Sequence, residues 1–280
     1  MKPGEPFLAP VAAIEPGSRT VEVSGLRGGQ AFAGADRVAE EVPVALEFNG
    51  ISHAVMLATP RDLEDFALGF SLAEGILDKR ADLYDIEIDE APEGITLRLE
   101  IAASCFARLK QYRRNLAGRT GCGLCGTESL AQALRPVPRV VHAFTVDGAA
   151  ISRGLQAMRA QQVLQQATGA VHAAAWCNAE GEVVLLREDV GRHNALDKLV
   201  GALARAHVAT DAGFALVTSR ASYEMVQKAA MAGIGVLAAI SAPTALAIQT
   251  AQAANLALAG FAREQDMVLY AHPERVLRHV

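Results

Sequence analysis

Cys122 and Cys125 are two of the chain's four cysteines, spaced Cys-x-x-Cys and set among glycines at 118, 121, 123 and 126. Glycine takes positive φ freely and loses much entropy when fixed, so this composition predicts a mobile surface loop, not a packed helix or strand. From Ile101 to Thr127 there is no Asp or Glu, while Arg108, Lys110, Arg113, Arg114 and Arg119 are all present. The thiolate is the reactive form of cysteine, and nearby cations stabilise it. Two soft nucleophiles on a flexible, cationic arm point to sulfur chemistry that has to reach a partner. Cys105 and Cys177 read as buried, apolar-like thiols.

A second set of candidates lies further on, where apolar runs end in polar residues. These are Arg187-Glu-Asp-Val-Gly-Arg-His-Asn194, Ser219-Arg220-Ala-Ser222, Ser241-Ala-Pro-Thr244 and Phe261-Ala-Arg-Glu-Gln-Asp266. In open α/β sheets, ligands bind beyond the carboxyl ends of the strands. Helix N-termini offer unpaired N–H groups to phosphate, and Arg192, Arg220 and Arg263 add charge-assisted contacts. Phe261 could stack on a flat base, with Gln265 or Asp266 bonding guanine edges. Taken singly, Ser222 and Thr244 are ordinary helix starts, and Glu188, Asp189 and Arg192 could form surface ion pairs. Four polar strand ends together favour a large anionic ligand that contains a nucleotide.

The elements that must carry these residues follow from periodicity. Residues 1–17 form a tail rich in Pro, Gly and Ala, and 19–26 a short strand. Residues 42–48 and 51–57 form a hairpin around Asn49-Gly50, whose turn wants positive φ at both positions. Thr59-Pro60-Arg61-Asp62 predicts a helix start, with Thr59 as cap and Pro60 at the first helical position. Leu63, Phe66, Ala67, Phe70 and Ala73 share one face of that helix, and Gly75 ends it. A second hairpin spans 85–89 and 95–101. The result is a ββαββ unit within an N-terminal α+β domain over 18–103. His53 in it reads as a structural strand residue. The basic loop occupies 104–127.

Over 128–280 the pattern changes to alternation. A helix is expected over 152–168 and a hairpin over 171–177 and 183–187. Helices then cover 192–207, 222–232 and 243–254, between strands 214–218, 236–240 and 256–261, with an edge strand at 267–270. This predicts a mostly parallel sheet with helices on both faces. The overall fold class is therefore α/β in two domains. Trp176 and Met225 are expected in its core.

At 280 residues and 51% hydrophobic, the chain can bury a substantial core. A net charge of −5 argues against general nucleic-acid binding. The N-terminus carries no apolar signal core, and four scattered cysteines make no disulfide framework, which favours the cytoplasm. No residue between Lys228 and Arg263 is charged. Even so, Gly233, Gly235, Ser241, Pro243 and Thr244 break that stretch into short runs, as in a buried α/β core and not a membrane span.

The cysteine loop, residues 187–198, residues 219–228 and residues 240–244 resemble the signature blocks of the FdhD family, over about residues 41–272. That resemblance implies a sulfur carrier required for formate dehydrogenase activity. Its members take sulfur from a cysteine desulfurase as a persulfide, here on Cys122, with Cys125 assisting transfer or release. They deliver it to the bis(molybdopterin guanine dinucleotide) molybdenum cofactor before that cofactor enters the formate dehydrogenase catalytic subunit. The cofactor-binding segment would be Phe261, Ala262, Arg263, Glu264, Gln265 and Asp266. Ser219, Arg220 and His193 from the neighbouring blocks are further candidates, and a guanine nucleotide such as GDP would mimic the ligand. The resemblance also implies a three-layer αβα, cytidine-deaminase-like C-terminal domain and a homodimer, with no resident metal.

Three other chemistries are weighed against this. A zinc deaminase needs His-x-Glu followed by Pro-Cys-x-x-Cys. His172-Ala-Ala-Ala175 has no such Glu, and the cysteine pair precedes it. A structural zinc knuckle within a cofactor-holding chaperone would need Cys105, His142 or His172 to join the pair. A thioredoxin-like motif would need a strand leading directly into the loop.

Overall fold

The computed structural model describes residues 16–114, 137–142 and 144–277. Strands β1 (Ser18–Arg27) and β2 (Gln30–Ala39) form an antiparallel ribbon through Gly28-Gly29, at φ 56° and 83°. The second arm is not legible in residues 30–39, which are rich in Ala and broken by Gly34, with low strand propensity. β3 (Val42–Phe48) and β4 (Ile51–Ala58) turn through Asn49-Gly50 at φ 45° and 79°, as the sequence predicts. Helix α1 (Leu63–Ala73) follows, then β5 (Leu83–Ala91) and β6 (Gly94–Ile101). The four strands make one sheet in the order β4-β3-β6-β5, with β3 and β6 parallel. Phe66, Ala67 and Phe70 of α1 bury against Val44, Leu46, Phe48, Leu97 and Leu99 of this sheet.

Two expectations fail here. Thr59 does not cap α1, which starts at Leu63 after Asp62 in the left-handed region (φ 53°). Thr59 is instead fully buried, and its polar groups are taken by a distant part of the chain, described below. The expected loop over 104–127 begins as a helix, α2 (Ala103–Arg114). Cys105 and Leu109 bury into the N-terminal core, and Arg108 pairs with Asp78 at 2.9 Å. Arg108 and Lys110, two of the basic residues that suggested an arm, are thus on the solvent side of an amphipathic helix. Cys122 and Cys125 lie outside the described residues.

The rest builds on a larger sheet. β7 (Val146–Asp147) leads into α3 (Gly148–Gln161) and α4 (Val163–Thr168), followed by β8 (His172–Asn178) and β9 (Val183–Asp189). The single helix expected over 152–168 breaks at Gln162 (ψ 73°). The Glu188 carboxylate accepts the N–H groups of Leu164 at 2.9 Å and Gln165 at 2.8 Å, so it caps a new helix there. Then come α5 (Arg192–Arg205), β10 (Gly213–Val217), α6 (Tyr223–Met231), β11 (Val236–Ala239), α7 (Ala245–Ala253), β12 (Ala257–Arg263) and β13 (Asp266–Ala271). The short β14 (Val276–Leu277) returns to pair with β7.

The six-stranded order is β13-β12-β11-β10-β8-β9. Only β10-β11-β12 are parallel neighbours; β8 and β13 run antiparallel to theirs. The sheet is therefore mixed, not mostly parallel, because hairpins add antiparallel strands on both sides of the parallel centre. α3 covers one face, and α5, α6 and α7 the other. Trp176 and Met225 sit in the core, as expected. Residues 229–262, uncharged throughout, become the end of α6, then β11, α7 and β12. Among the described residues no helix is long and apolar enough to cross a membrane.

α1 joins the two sheets by crossing α5 at Gly69 and Gly201. A Cβ at Gly69 would lie 1.7 Å from the Asp197 carbonyl oxygen, and one at Gly201 only 1.9 Å from that of Asp65. Backbones this close leave no room for any side chain.

Candidate functional site

The carboxyl ends of β9, β10, β11 and β12 lie along one edge of the larger sheet. Because β8 is antiparallel to β9 and β10, its first residue, His172, is at that edge too, registered against Asp189. A cavity of about 770 Å³ opens there. Gln156 and Arg159 of α3 form one wall and Gln162 and Gln165 the next. His172, Thr218 and Ile240 form the strand-end wall, and Ala262, Arg263 and Glu264 close it.

The segment 261–266 is shaped by its backbone. Phe261 and Glu264 both sit at φ 51°, and the β12–β13 ladder slips between Gly260 and Arg263. Positive φ at a bulky residue costs on the order of 1–2 kcal/mol, and such strain gathers at functional sites. The kink leaves the Phe261 ring 42% exposed while Ala262 is fully buried. Arg263 is held by a bond from its Nε to the Ile240 carbonyl at 3.3 Å. Gln265 and Asp266 line a second cavity, of about 730 Å³, with Ser152 and Arg153 of α3. Gln156 borders both.

Of the predicted candidates, the structure brings Ala262, Arg263 and Glu264 together in the first cavity. Phe261 does not line it. Ser219 is buried, and its hydroxyl donates to the Arg220 carbonyl at 3.0 Å, while the Arg220 side chain is exposed. His193 stands at the start of α5 with Nε2 2.8 Å from Glu224 Oε2 at the start of α6. Its bond to His193 holds the Glu224 carboxyl below its usual pKa. Thr218, Arg159, Gln162 and Gln165 are cavity residues that the sequence did not single out, and it weighed His172 only as a zinc ligand. The antiparallel run of β8, readable from its hairpin with β9, is the signal that would have found His172.

Charge at this edge is unbalanced. Among the described residues no carboxylate forms an ion pair with Arg159, Arg192, Arg220 or Arg263, whereas Arg187, Arg205, Arg98 and Arg108 are all paired. Arg192 Nε and Ser222 Oγ are buried without a hydrogen-bond partner. Buried polar atoms left open are rare and point to a missing water, ion or ligand. Uncompensated guanidiniums beside helix starts suit an anion. Cys105, His142 and His172 do not converge. Among the described residues the one His, Cys and acid grouping with metal-like spacing is Asp78, Asp82 and Cys105.

The sequence model of the FdhD/NarQ family matches residues 39–277. The chain belongs to the FdhD/NarQ family. It is 60% identical over 264 residues to the sulfur carrier protein FdhD of Variovorax paradoxus, covering 94% of this chain and 95% of that one. It is 61% identical over 253 residues to the protein of the same name from Bordetella petrii, covering 90% and 91%. The crystal structure of a proposed formate dehydrogenase accessory protein from Desulfotalea psychrophila has the same fold. The TM-score is 0.72 at 23% identity, over 94% of this chain and all of that one.

In this FdhD/NarQ chain the block over 187–198 chiefly serves to join the two sheets. Glu188 and Asp189 are 3% and 0% exposed, not surface groups. The fully buried Asp189 carboxylate meets Lys198 Nζ at 2.6 Å and accepts the Thr59 N–H at 3.0 Å, while Lys198 donates to the Thr59 carbonyl at 2.9 Å. Burial pulls the Lys198 pKa down, and the Asp189 charge opposes that. Asn194 reaches across to the Leu57 carbonyl at 2.8 Å. Arg187 grips Asp65 of α1 at 2.7 Å, and Lys228 of α6 bonds both Asp197 and Glu74. Burial and the Glu74 charge push the Asp197 carboxyl up to about 6, against the pull of Lys228.

Proposed function

We propose that this chain is a cytoplasmic sulfur carrier for formate dehydrogenase maturation. It accepts sulfur from a cysteine desulfurase as a persulfide on Cys122, with Cys125 assisting transfer or release. Loading is an exchange: the Cys122 thiolate attacks the terminal sulfur of the donor's persulfide, and the donor cysteine leaves as a thiolate. The recipient is the bis(molybdopterin guanine dinucleotide) molybdenum cofactor, before it is inserted into the formate dehydrogenase catalytic subunit. We also read the larger sheet and its helices as cytidine-deaminase-like, and the working form as a homodimer.

The observation that carries this reading is the strand-end cavity, where Ala262 and Glu264 share the lining with Arg159 and Arg263, two arginines that form no ion pair with a carboxylate among the described residues. Diphosphate is the part of the cofactor such a cavity suits. A cavity of about 770 Å³ is in the range that takes a nucleotide-sized group. The names of its FdhD relatives supply the sulfur, and the Cys-x-x-Cys spacing supplies two thiols to move it.

The test is intact-protein mass spectrometry after incubation with a cysteine desulfurase and cysteine. The expected result is a mass gain of one or more sulfur atoms that a reductant removes. Cys122→Ala abolishes it, and Cys125→Ala leaves loading intact but slows delivery. Loading that survives Cys122→Ala, or native protein that carries stoichiometric zinc and takes no sulfur, overturns the reading.

A further inference from the structure

His172 does more than fill the cavity wall. Its Nδ1 lies 3.4 Å from Thr218 Oγ1, and that hydroxyl accepts the Ala173 N–H at 2.9 Å. The same hydroxyl lies 3.4 Å from the Ala173 carbonyl oxygen. Its single proton therefore has two acceptors of equal distance. When it turns to Nδ1, the neutral ring carries its own proton on Nε2. When it turns to the carbonyl, the oxygen is free to accept from a protonated Nδ1. The hydroxyl can thus serve either charge state of the ring without moving a heavy atom. No protein group among the described residues takes Nε2.

The charged groups around the ring come from every neighbouring element. Arg192 and His193 approach from α5, and Asp189 from β9. Across the cavity stand Arg159 of α3, Arg263 of β12 and Glu264 of the turn after it. Burial first, then Arg192 and His193, hold the His172 pKa below its usual value, with Asp189 opposing. In the free protein the ring is a neutral donor among cations.

We propose that His172 is a ligand-contacting residue of this cavity, bonding the anionic part of a bound nucleotide through Nε2 and taking up a proton as the anion enters. An anion in this cavity offsets the positive charge of Arg192, which together with burial keeps the proton off. The imidazolium then makes a charge-assisted bond, stronger than the neutral one. The proton comes from solvent and settles on Nδ1, and the Thr218 hydroxyl turns to the Ala173 carbonyl. No bond between heavy atoms is made or broken. The inference rests on reading the cavity as a nucleotide site.

GDP titrated calorimetrically into the full-length protein tests it, at about pH 6 and about pH 8, on either side of the usual His value. Wild type binds more tightly at the acid end, by at most about tenfold per pH unit for one linked proton. GDP ionisation contributes equally to wild type and variant. His172→Gln keeps a donor but cannot titrate, so it flattens the slope and loses most affinity at the acid end. Imidazole resonances of His172 in the wild-type protein, followed with and without GDP, give the same answer without a variant: the ring titrates at higher pH when GDP is bound. Wild-type protein that binds GDP while His172→Gln keeps its affinity and slope, or a ring whose titration GDP does not move, overturns the role of His172 alone. Wild-type protein that does not bind GDP overturns the nucleotide reading, and this inference with it.

Discussion

Glu188 and Asp189 are adjacent in sequence and have unrelated duties. Alternation along β9 sends the Glu188 carboxylate to one face, where it caps α4, and Asp189 to the other, where it meets Lys198. The Asp189–Lys198 pair is wholly removed from water, so its net worth as a pair is small, but either charge left alone is costly. Asp189→Asn keeps shape and some hydrogen bonding yet strands Lys198. The expected loss is about 3–5 kcal/mol in urea unfolding. Replacing both together, Asp189→Leu with Lys198→Met, should cost clearly less than the sum of the single changes. Additive losses would show that the two side chains do not act as a pair. Thr59 belongs to the same arrangement, which explains why a residue that looks like a cap from its neighbours is not one. Local sequence offered it a helix start; a lysine and an aspartate some 130 residues away offered a buried site.

At the scale of elements, the crossing of α1 and α5 depends on two glycines. Glycine normally weakens a helix by about 0.8–1.0 kcal/mol relative to alanine, so Gly→Ala on an open helix face stabilises. Gly69→Ala and Gly201→Ala should do the reverse. Their Cβ atoms would sit 1.7 Å and 1.9 Å from backbone oxygens of the partner helix. Overpacking of this kind costs about 1–3 kcal/mol or more, because the helices must move apart. Thermal melts of the two variants check this, and an unchanged or raised melting temperature in both would contradict the close crossing. Neither glycine was readable as a contact point from sequence, since a crossing needs both helices placed first. The hairpins were readable, because Asn49-Gly50 encodes its own turn. Residues 30–39 and 103–114 were not. In the first, weak strand formers are held by their partner β1. In the second, a run of cations conceals the apolar side that carries Cys105 and Leu109. At the candidate site, Arg263 and its neighbours were legible as a polar strand end. His172 was not, because its place depends on the direction of β8 within the sheet.

At the scale of the whole molecule, the ion pairs between the two sheets run through a few side chains. Asp65 of α1 accepts Arg187 from β9 at 2.7 Å and Arg205 from α5 at 2.8 Å, while being only 3% exposed itself. Lys228 of α6 bonds Glu74, just past α1, at 2.8 Å. The smaller sheet has α1 on one face, and α1 in turn leans on α5, so neither sheet is complete without the shared helix pair. This predicts that the chain opens as one cooperative unit. Native-state hydrogen exchange should give the amides of β3 and β6 the same limiting protection as those of β10 and β11. Asp65→Ala removes the buried carboxylate that both guanidiniums share, leaving Arg205 only Glu64 and Arg187 only Asp62 at 3.8 Å, and loosens one side of the junction. The expected result is that β3 and β6 exchange at a lower free energy than β10 and β11, while β10 and β11 keep nearly wild-type protection. Equal protection in the variant would mean that backbone packing at Gly69 and Gly201, and not the ion pairs, couples the sheets. The distinction bears on function, because the strand ends that form the cavity wall start the loops and helices held by these pairs. Arg187 and Asp189 end the strand beside His172, and Arg192 and His193 begin the helix behind it. A junction that opens separately would move Arg192 relative to Arg263 and loosen the proposed anion site, with no junction residue lining the cavity itself.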